Sequence, residues 1–195
     1  MRITIALQGT SPLLMHNPQM VDPEFDINRQ IKALTDKRKK TDEDMRQIEK
    51  LEWFGGLYTA QNGDGCIVTQ PTSKVRKCLI NTARISKMGK SIERAISFEQ
   101  LNVPLQYVGP KDIEALYEDK SFRSRLSVGI RGKRVMRVRP QFMPWALSAS
   151  GLFIEDAGLN LDEFTRIVEL AGLVEGIGDN RVNGYGRFTG KVVLL

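Results

Sequence analysis

The sequence contains 195 residues, a length that fits one domain or one domain with a sizeable insertion. Hydrophobic residues make up 41% of the chain and charged residues 27%, so the composition predicts a packed core and excludes disorder of the whole chain. Lys and Arg outnumber Asp and Glu by 29 to 23, and the formal net charge of +6 favours a polyanionic partner.

The few cysteine and histidine residues exclude several classes of site. Two cysteines, Cys66 and Cys78, exclude a disulfide framework and a four-ligand zinc cluster, and the single histidine, His16, excludes a metal site built on several imidazoles. The N-terminal segment lacks the apolar stretch of a signal peptide, and no segment reaches the roughly 18 apolar residues of a membrane span. We therefore expect a soluble cytoplasmic protein that binds neither metal, cofactor nor membrane.

The first third of the chain predicts one strand followed by an inserted arm. Apolar residues alternate with polar or small residues over 3–8, which is the period of a half-buried strand. Residues 18–68 differ in composition, and we interpret them as a helical insertion. Its helical part runs from about Asn28 to Trp53, with a turn at Lys37-Arg38-Lys39-Lys40 between two helices.

A basic helix is predicted after the arm. Thr72 or Ser73 can cap this helix, and apolar residues then recur at helical spacing on the side that faces the core. A separate stripe carries cations, and residues 69–90 contain six basic residues and no acid. A solvated face usually mixes both signs of charge, so we keep two interpretations open, a solvated face and a phosphate-binding face. The second would use Lys74, Lys77, Arg84 and Lys87.

Residues 121–143 predict a basic β-hairpin. Between Ser121 and Pro140 there are seven basic residues and no acid. A three-residue loop at Arg131-Gly132-Lys133 would place the apolar residues of both strands on one face and the arginines on the other. The predicted phosphate-binding residues of this hairpin are Arg125, Arg131, Lys133, Arg134, Arg137 and Arg139.

The remaining elements complete a mixed α+β pattern. Short strands are predicted over 103–108, 145–154 and 187–195, and Asn160 and Glu163 predict a capping box at the start of a helix. Without the insertions the order is the split βαβ plan, a ferredoxin-like or RRM-like βαββαβ antiparallel sheet. We therefore predict a single domain over 1–195, with insertions at 18–68 and 121–143.

A glycine-rich segment lies between the last predicted helix and the last predicted strand. Glycine allows close approach of backbone amides to an anion, arginine presents a planar fork to phosphate, and tyrosine offers a face on which a base can stack. A tight turn without ligand is the alternative explanation of the glycines. The predicted binding residues here are Gly176, Gly178, Arg181, Gly184, Tyr185, Gly186 and Arg187.

This glycine-rich segment, together with Leu7 to His16, resembles the RAMP superfamily, the repeat-associated proteins of CRISPR systems. In that family such a loop joins the final helix to the final strand of a ferredoxin-like fold. The resemblance covers the two ends of the chain, while the middle is similar only in the order of its elements. It implies an RNA-binding domain most similar to the backbone subunits that polymerise along a guide RNA, or a compact relative from a phage or mobile element.

The predicted function is non-enzymatic binding of RNA or single-stranded DNA through a basic face of the sheet and hairpin and through the glycine-rich loop. The chain is expected to be a repeating, self-associating subunit of an oligomer or filament. Two alternatives remain open at this point, an endoribonuclease of the RAMP type and an interaction subunit or inhibitor that mimics a CRISPR backbone subunit. Some RAMP members cleave RNA with a histidine or a loop aspartate, which makes His16, Asp22 and Asp26 the weak catalytic candidates. The expected location is the cytoplasm of a bacterium or a phage-infected cell.

Overall fold

A computed structural model describes residues 1–63, 65–130 and 132–195, and for Ile130, Lys133 and Asp156 it describes the backbone alone. The chain is mixed α+β with antiparallel sheets, which confirms the predicted fold class at that level. The strands are β1 (Arg2–Gly9), β2 (Leu13–Leu14), β3 (Thr59–Asn62), β4 (Gly65–Pro71), β5 (Ile96–Phe98), β6 (Asn102–Pro104), β7 (Gln106–Tyr107), β8 (Arg123–Ile130), β9 (Lys133–Phe142), β10 (Trp145–Phe153) and β11 (Phe188–Leu194). The helices are α1 (Asp26–Thr35), α2 (Asp42–Gly56), α3 (Thr72–Ala83), α4 (Gly89–Ala95), α5 (Ile113–Glu118) and α6 (Leu161–Val174).

The chain divides into two compact units. The sheet unit comprises Met1–Leu13, Thr59–Val108 and Met143–Leu195, and the arm unit comprises Leu14–Tyr58 and Gly109–Phe142. Residues 59–62 and 65–68, which the sequence assigned to the arm, belong to strands of the sheet unit, because β4 pairs with both β3 and β6. Within the described residues, no helix has both the length and the hydrophobicity that crossing a bilayer requires.

The main sheet of the sheet unit is built around β1. Its strand order is β11-β1-β10-β5, and β7 also pairs with β10. As the alternation predicts, Ile3, Ile5 and Leu7 are buried. Their neighbours Thr4 and Gln8 lie on the opposite face, so β1 supplies one side to the core and the other to the open face of the sheet.

Helices α3 and α6 carry the rest of this core. The predicted buried face of α3 is confirmed, and the Cys78 thiol lies 3.8 Å from the Ala171 carbonyl oxygen of α6. Burial raises the pKa of the Cys78 thiol to about 12, so it stays protonated at neutral pH. The predicted cap of α3 is wrong, because Pro71 precedes the helix and the Thr72 hydroxyl donates to the Gln100 carbonyl at 2.7 Å instead.

Helix α6 begins at the predicted capping box and lies directly on β11. The Asn160 side chain accepts from the Glu163 amide at 2.9 Å, and the Glu163 carboxylate accepts from the Asn160 amide at 3.1 Å. A Cβ at Gly172 would stand 1.9 Å from the Phe188 carbonyl oxygen, and one at Gly190 would stand 2.6 Å from Val168. These two glycines therefore permit the close contact between helix and strand.

The segment 103–108, predicted as one strand, forms two short strands in the structure. The segment 103–108 is divided between β6, which pairs with β4, and β7, which pairs with β10. Pro104 has no amide hydrogen to donate to a ladder, and the amide of Leu105 turns to the Val68 carbonyl at 3.0 Å. The edge position of the sheet is taken by β5, whose three residues directly follow α4 and are too few to show a strand period.

The arm unit contains the predicted pair of helices. Helices α1 and α2 are separated by the turn at 36–41, as the charge run at 37–40 predicted. A capping box between Thr41 and Asp44 starts α2, and the Lys37 ammonium lies 2.5 Å from the Asp44 carboxylate. These hydrogen bonds, first from Lys37 and then from Thr41, lower the pKa of Asp44 to about 2.

Trp53 of α2 forms the centre of the arm unit. It is fully buried, and its indole nitrogen donates to the Phe122 carbonyl at 2.8 Å. The Tyr117 ring meets it edge-on at 5.3 Å, and the Arg123 guanidinium lies 4.7 Å from the centre of that tyrosine ring. Since Trp145 is the corresponding buried tryptophan of the sheet unit, each unit carries its own fluorescent reporter.

Candidate nucleic-acid interface

The outward side of α3 carries the first predicted group of cations. Helical spacing places Lys74, Lys77 and Arg84 away from the buried face, and Lys87 follows in a left-handed turn with φ of +62°. We call these four residues the basic helix surface. Lys77, Arg84 and Lys87 are exposed and Lys74 is half-buried. None of the four makes an ion pair within the described part of the chain, so their charge is available to an external anion.

The glycine-rich loop follows α6 and turns sharply. Four of its glycines, at 176, 178, 184 and 186, and also Asn180 have positive φ. Gly186 packs directly against the backbone of Ile177, because a Cβ at this position would lie 1.7 Å from the Ile177 carbonyl oxygen. Gly184, by contrast, has open space where a Cβ would lie. The base of the loop is therefore a packed turn, and its exposed part is the short helical turn Arg181–Asn183.

The turn after β1 and the glycine-rich loop lie against each other. The Gly186 amide donates to the Pro12 carbonyl at 2.8 Å, and the Arg187 amide donates to the Ser11 hydroxyl at 2.8 Å. The same hydroxyl donates to the Gly184 carbonyl at 2.8 Å. The turn after β1 therefore holds the glycine-rich loop in one conformation.

The arginines of this loop are engaged by the protein itself. The Arg181 guanidinium donates to the Glu175 carboxylate, and Asn81 of α3 donates to the same oxygen at 2.8 Å. Arg187 donates to the Arg181 carbonyl at 3.3 Å, while its Nη1 is buried without a hydrogen-bond partner among the described residues. Asn81 belongs to the outward stripe of α3, so this contact joins the basic helix surface to the loop. Tyr185 is half-buried beside them.

The packing of this loop predicts a large difference between two alanine substitutions. Gly186→Ala should lower the free energy of unfolding by about 3 kcal/mol, because the new methyl group overlaps a backbone oxygen at positive φ. Gly184→Ala should cost only about 1 kcal/mol, since it meets no steric overlap. Urea unfolding followed by Trp145 fluorescence in a Trp53→Phe background measures both. Equal losses for the two variants would contradict the packed-turn description.

The hairpin of the arm unit has a different register from the predicted one. The last residue of β8, Ile130, pairs with the first residue of β9, Lys133, and Arg137 pairs with Leu126. The prediction chose a loop one residue longer in order to separate apolar from basic side chains, and that choice is wrong. In the observed register Arg125 lies opposite Val138, and Arg137 and Arg139 lie on the other face.

Carboxylates of α2 explain how basic and apolar side chains can share a face of the hairpin. Glu49 accepts from Arg125 at 2.8 Å, and the buried Glu52 accepts from the Arg137 guanidinium and from the Val138 amide at 3.2 Å. Two of the predicted phosphate-binding arginines therefore attach the arm to the hairpin. Sequence reasoning missed these partners, although Glu49 and Glu52 stand three residues apart on one side of a helix.

The other predicted phosphate-binding residues of the hairpin are Arg134, Arg131 and Lys133. Arg134 is exposed and shares a face with Arg125, since it pairs with Gly129. Arg131 lies outside the described residues, and so does the side chain of Lys133. Of the predicted hairpin residues, Arg134 is thus a described cation that makes no ion pair with a described residue.

The open face of the main sheet is largely neutral, although the sequence predicted a basic sheet face. Its central rows carry small or polar side chains, and the Thr4 and Ser150 hydroxyls are 2.9 Å apart. The cations on this face among the described residues are Arg2, which is bound to Glu99 at 2.8 Å, and Lys191. The sheet face therefore contributes little to an electrostatic site.

The weak catalytic candidates are placed in structural contacts. An Arg139 guanidinium nitrogen lies 2.7 Å from His16 Nδ1. Because a guanidinium only donates hydrogen bonds, Nδ1 is the acceptor and the ring proton is on Nε2. The Asp22 carboxylate accepts from the Glu24 amide at 2.9 Å, and Asp26 at the start of α1 lies 3.6 Å from Arg29. Among the described residues, no group of three His, Cys, Asp or Glu side chains can hold a metal ion.

A scan against protein-family models finds no match for this chain, and a search of the curated proteins finds no significant match. Evidence for the function of this chain therefore comes from the charges and contacts of the described residues.

Proposed function

We propose that this chain binds single-stranded nucleic acid without cutting it, and that it does so chiefly through the basic helix surface and the adjoining glycine-rich loop. The observation that carries the proposal is the basic helix surface, whose four cations lie on α3 and in the turn that follows it and make no ion pair among the described residues. Phosphates are the usual partners of such a face, because each cation that replaces condensed counterions adds to affinity.

The strand order supports the further proposal of a ferredoxin-like domain of the RAMP type. Apart from the added elements, the chain runs β1, α3, β5, β10, α6, β11, which is a βαββαβ order. The first strand lies between the last and the third, as that plan requires. The contact of the turn after β1 with the glycine-rich loop adds support, because these are the two segments of the resemblance.

We also propose that several copies bind along one strand. Residues 151–180 contain seven acidic side chains and one basic side chain, whereas α3 and the hairpin are basic. Such a separation of charge favours head-to-tail contact between copies. Binding through phosphates carries little sequence information, so we expect a sequence-tolerant filament or oligomer.

A gel shift with labelled RNA, single-stranded DNA and duplex DNA of equal length tests the proposal. Both single strands should shift, with more bands as the strand is lengthened, and a denaturing gel should show no products. Cleavage that His16→Ala abolishes would contradict the proposal and favour the ribonuclease. No shift at low salt would contradict nucleic-acid binding by the chain alone.

A further inference from the structure

A cleft in the arm unit brings together charged and apolar walls. It has an open volume of about 300 Å³, and its lining combines charged and polar side chains with apolar ones. The charged and polar residues are Arg137, Arg139, Glu52, His16 and Asn28, and the apolar residues are Met20 and Ile31. This volume lies at the lower end of the range for small-molecule sites, which combine apolar surface with a few fixed polar groups. It is distinct from the basic helix surface, which belongs to the sheet unit.

The charged wall is held in place before any ligand arrives. Glu52, which also lines the cleft, is buried and binds the Arg137 guanidinium, and Arg137 remains about one-third exposed. A guanidinium has five N–H donors in a fixed plane, and the contact with Glu52 does not use all of them. Arg137 and Arg139 against Glu52 leave one net positive charge, since His16 is neutral when its Nδ1 accepts from Arg139.

We propose that this cleft binds one nucleoside monophosphate, with the phosphate on the Arg137 side and the base against Met20 and Ile31. The chemistry that the cleft would recognise is a phosphate linked through a sugar to the flat face of a base. A free nucleotide and one nucleotide of a bound strand both present it. The choice of ligand rests on the proposed function, whereas the location rests on the cleft itself. An inorganic anion would use only the charged wall, and a nucleoside only the apolar wall.

Calorimetric titration of the full chain with AMP, adenosine and inorganic phosphate tests this site. AMP should bind saturably, and adenosine and phosphate should each bind about tenfold more weakly or worse, because each contacts one wall. Arg137→Lys keeps the charge beside Glu52 but removes the planar fork, so the variant should fold and lose about tenfold in AMP affinity. Ile31→Ala should weaken AMP without changing the binding of phosphate.

Arg125→Gln is the matched control, because Arg125 also pairs with a glutamate of α2 but does not line the cleft. No saturable AMP binding, phosphate binding as tight as AMP, or an equal loss in Arg125→Gln would each overturn the inference. A parallel titration with a single-stranded oligonucleotide identifies the source of the nucleotide. A loss with Arg137→Lys there too assigns the site to the strand, and an unchanged affinity assigns it to free nucleotide.

The two proposals fail in different ways. If the oligonucleotide binds and AMP does not, the cleft is not a nucleotide site and the proposed function stands. If AMP binds and no oligonucleotide shifts, the cleft stands and the proposed function fails.

Discussion

The double variant Lys74→Glu, Lys77→Glu should bind single-stranded RNA and DNA about a hundredfold more weakly than the unaltered chain at moderate salt. Each lost phosphate contact on a single strand removes a factor of about five at 0.1 M salt, so two lost contacts account for about 25-fold. Each new carboxylate adds about a factor of two, because salt screens its repulsion. Fluorescence anisotropy with a labelled oligonucleotide measures the loss.

This variant should remain folded. Lys74 lies in the first turn of α3, where a negative side chain is favourable because of the helix dipole, and Lys77 is exposed. A matched control is Arg38→Glu, Lys39→Glu, which makes the same charge change in the exposed turn of the arm unit. A control that weakens binding as much would indicate attraction by net charge alone and would contradict a localised basic helix surface.

The second large effect concerns the stability of the arm unit. Arg137→Ala should lower its free energy of unfolding by about 3 kcal/mol, because Glu52 would remain buried with its charge uncompensated. Arg125→Ala should cost less than about 1 kcal/mol, since the Arg125 side chain is 61% exposed and its pair with Glu49 is screened by water. Urea unfolding followed by Trp53 fluorescence in a Trp145→Phe background isolates the arm unit.

A rescue experiment separates the charge from the packing. Adding Glu52→Gln to Arg137→Ala removes the uncompensated carboxylate but keeps an oxygen that can accept from the Val138 amide. The double variant should therefore recover most of the lost stability. If Arg137→Ala costs no more than Arg125→Ala, the buried pair does not hold the hairpin to the arm as described.

The elements with strong local signals were predictable from the sequence. The strand at 3–8, the two helices of the arm, the buried face of α3 and the capping box at Asn160 each depend on contacts within a few residues, and all are present. The three-residue β5 and the missing side-chain cap of α3 were not predictable, because both depend on partners far along the chain.

The register of the hairpin shows why the candidate site was harder to predict than the elements. The prediction assumed that arginines must face water, so it separated them from Leu126 and Val128. The carboxylates of Glu49 and Glu52, more than 70 residues away, neutralise Arg125 and Arg137 instead. The acidic partners of a cation are set by tertiary contacts, and a basic segment by itself therefore does not identify a phosphate-binding surface.

The glycine-rich loop illustrates the same limit. The sequence correctly indicated a turn, but it could not distinguish a glycine that approaches a ligand from one that approaches another part of the backbone. Gly186 belongs to the second class, because Ile177 occupies the space beside it. The lysines of α3 keep their predicted position because helical spacing alone separates them from the core.

The salt dependence of binding to a labelled single strand tests the central claim most directly. If the basic helix surface neutralises about four phosphates, the logarithm of the association constant should fall with the logarithm of salt concentration with a slope near −3. The slope should be shallower by about 1.4 in Lys74→Glu, Lys77→Glu, because two contacts are lost. A slope near zero, or one that the double variant leaves unchanged, would contradict the account.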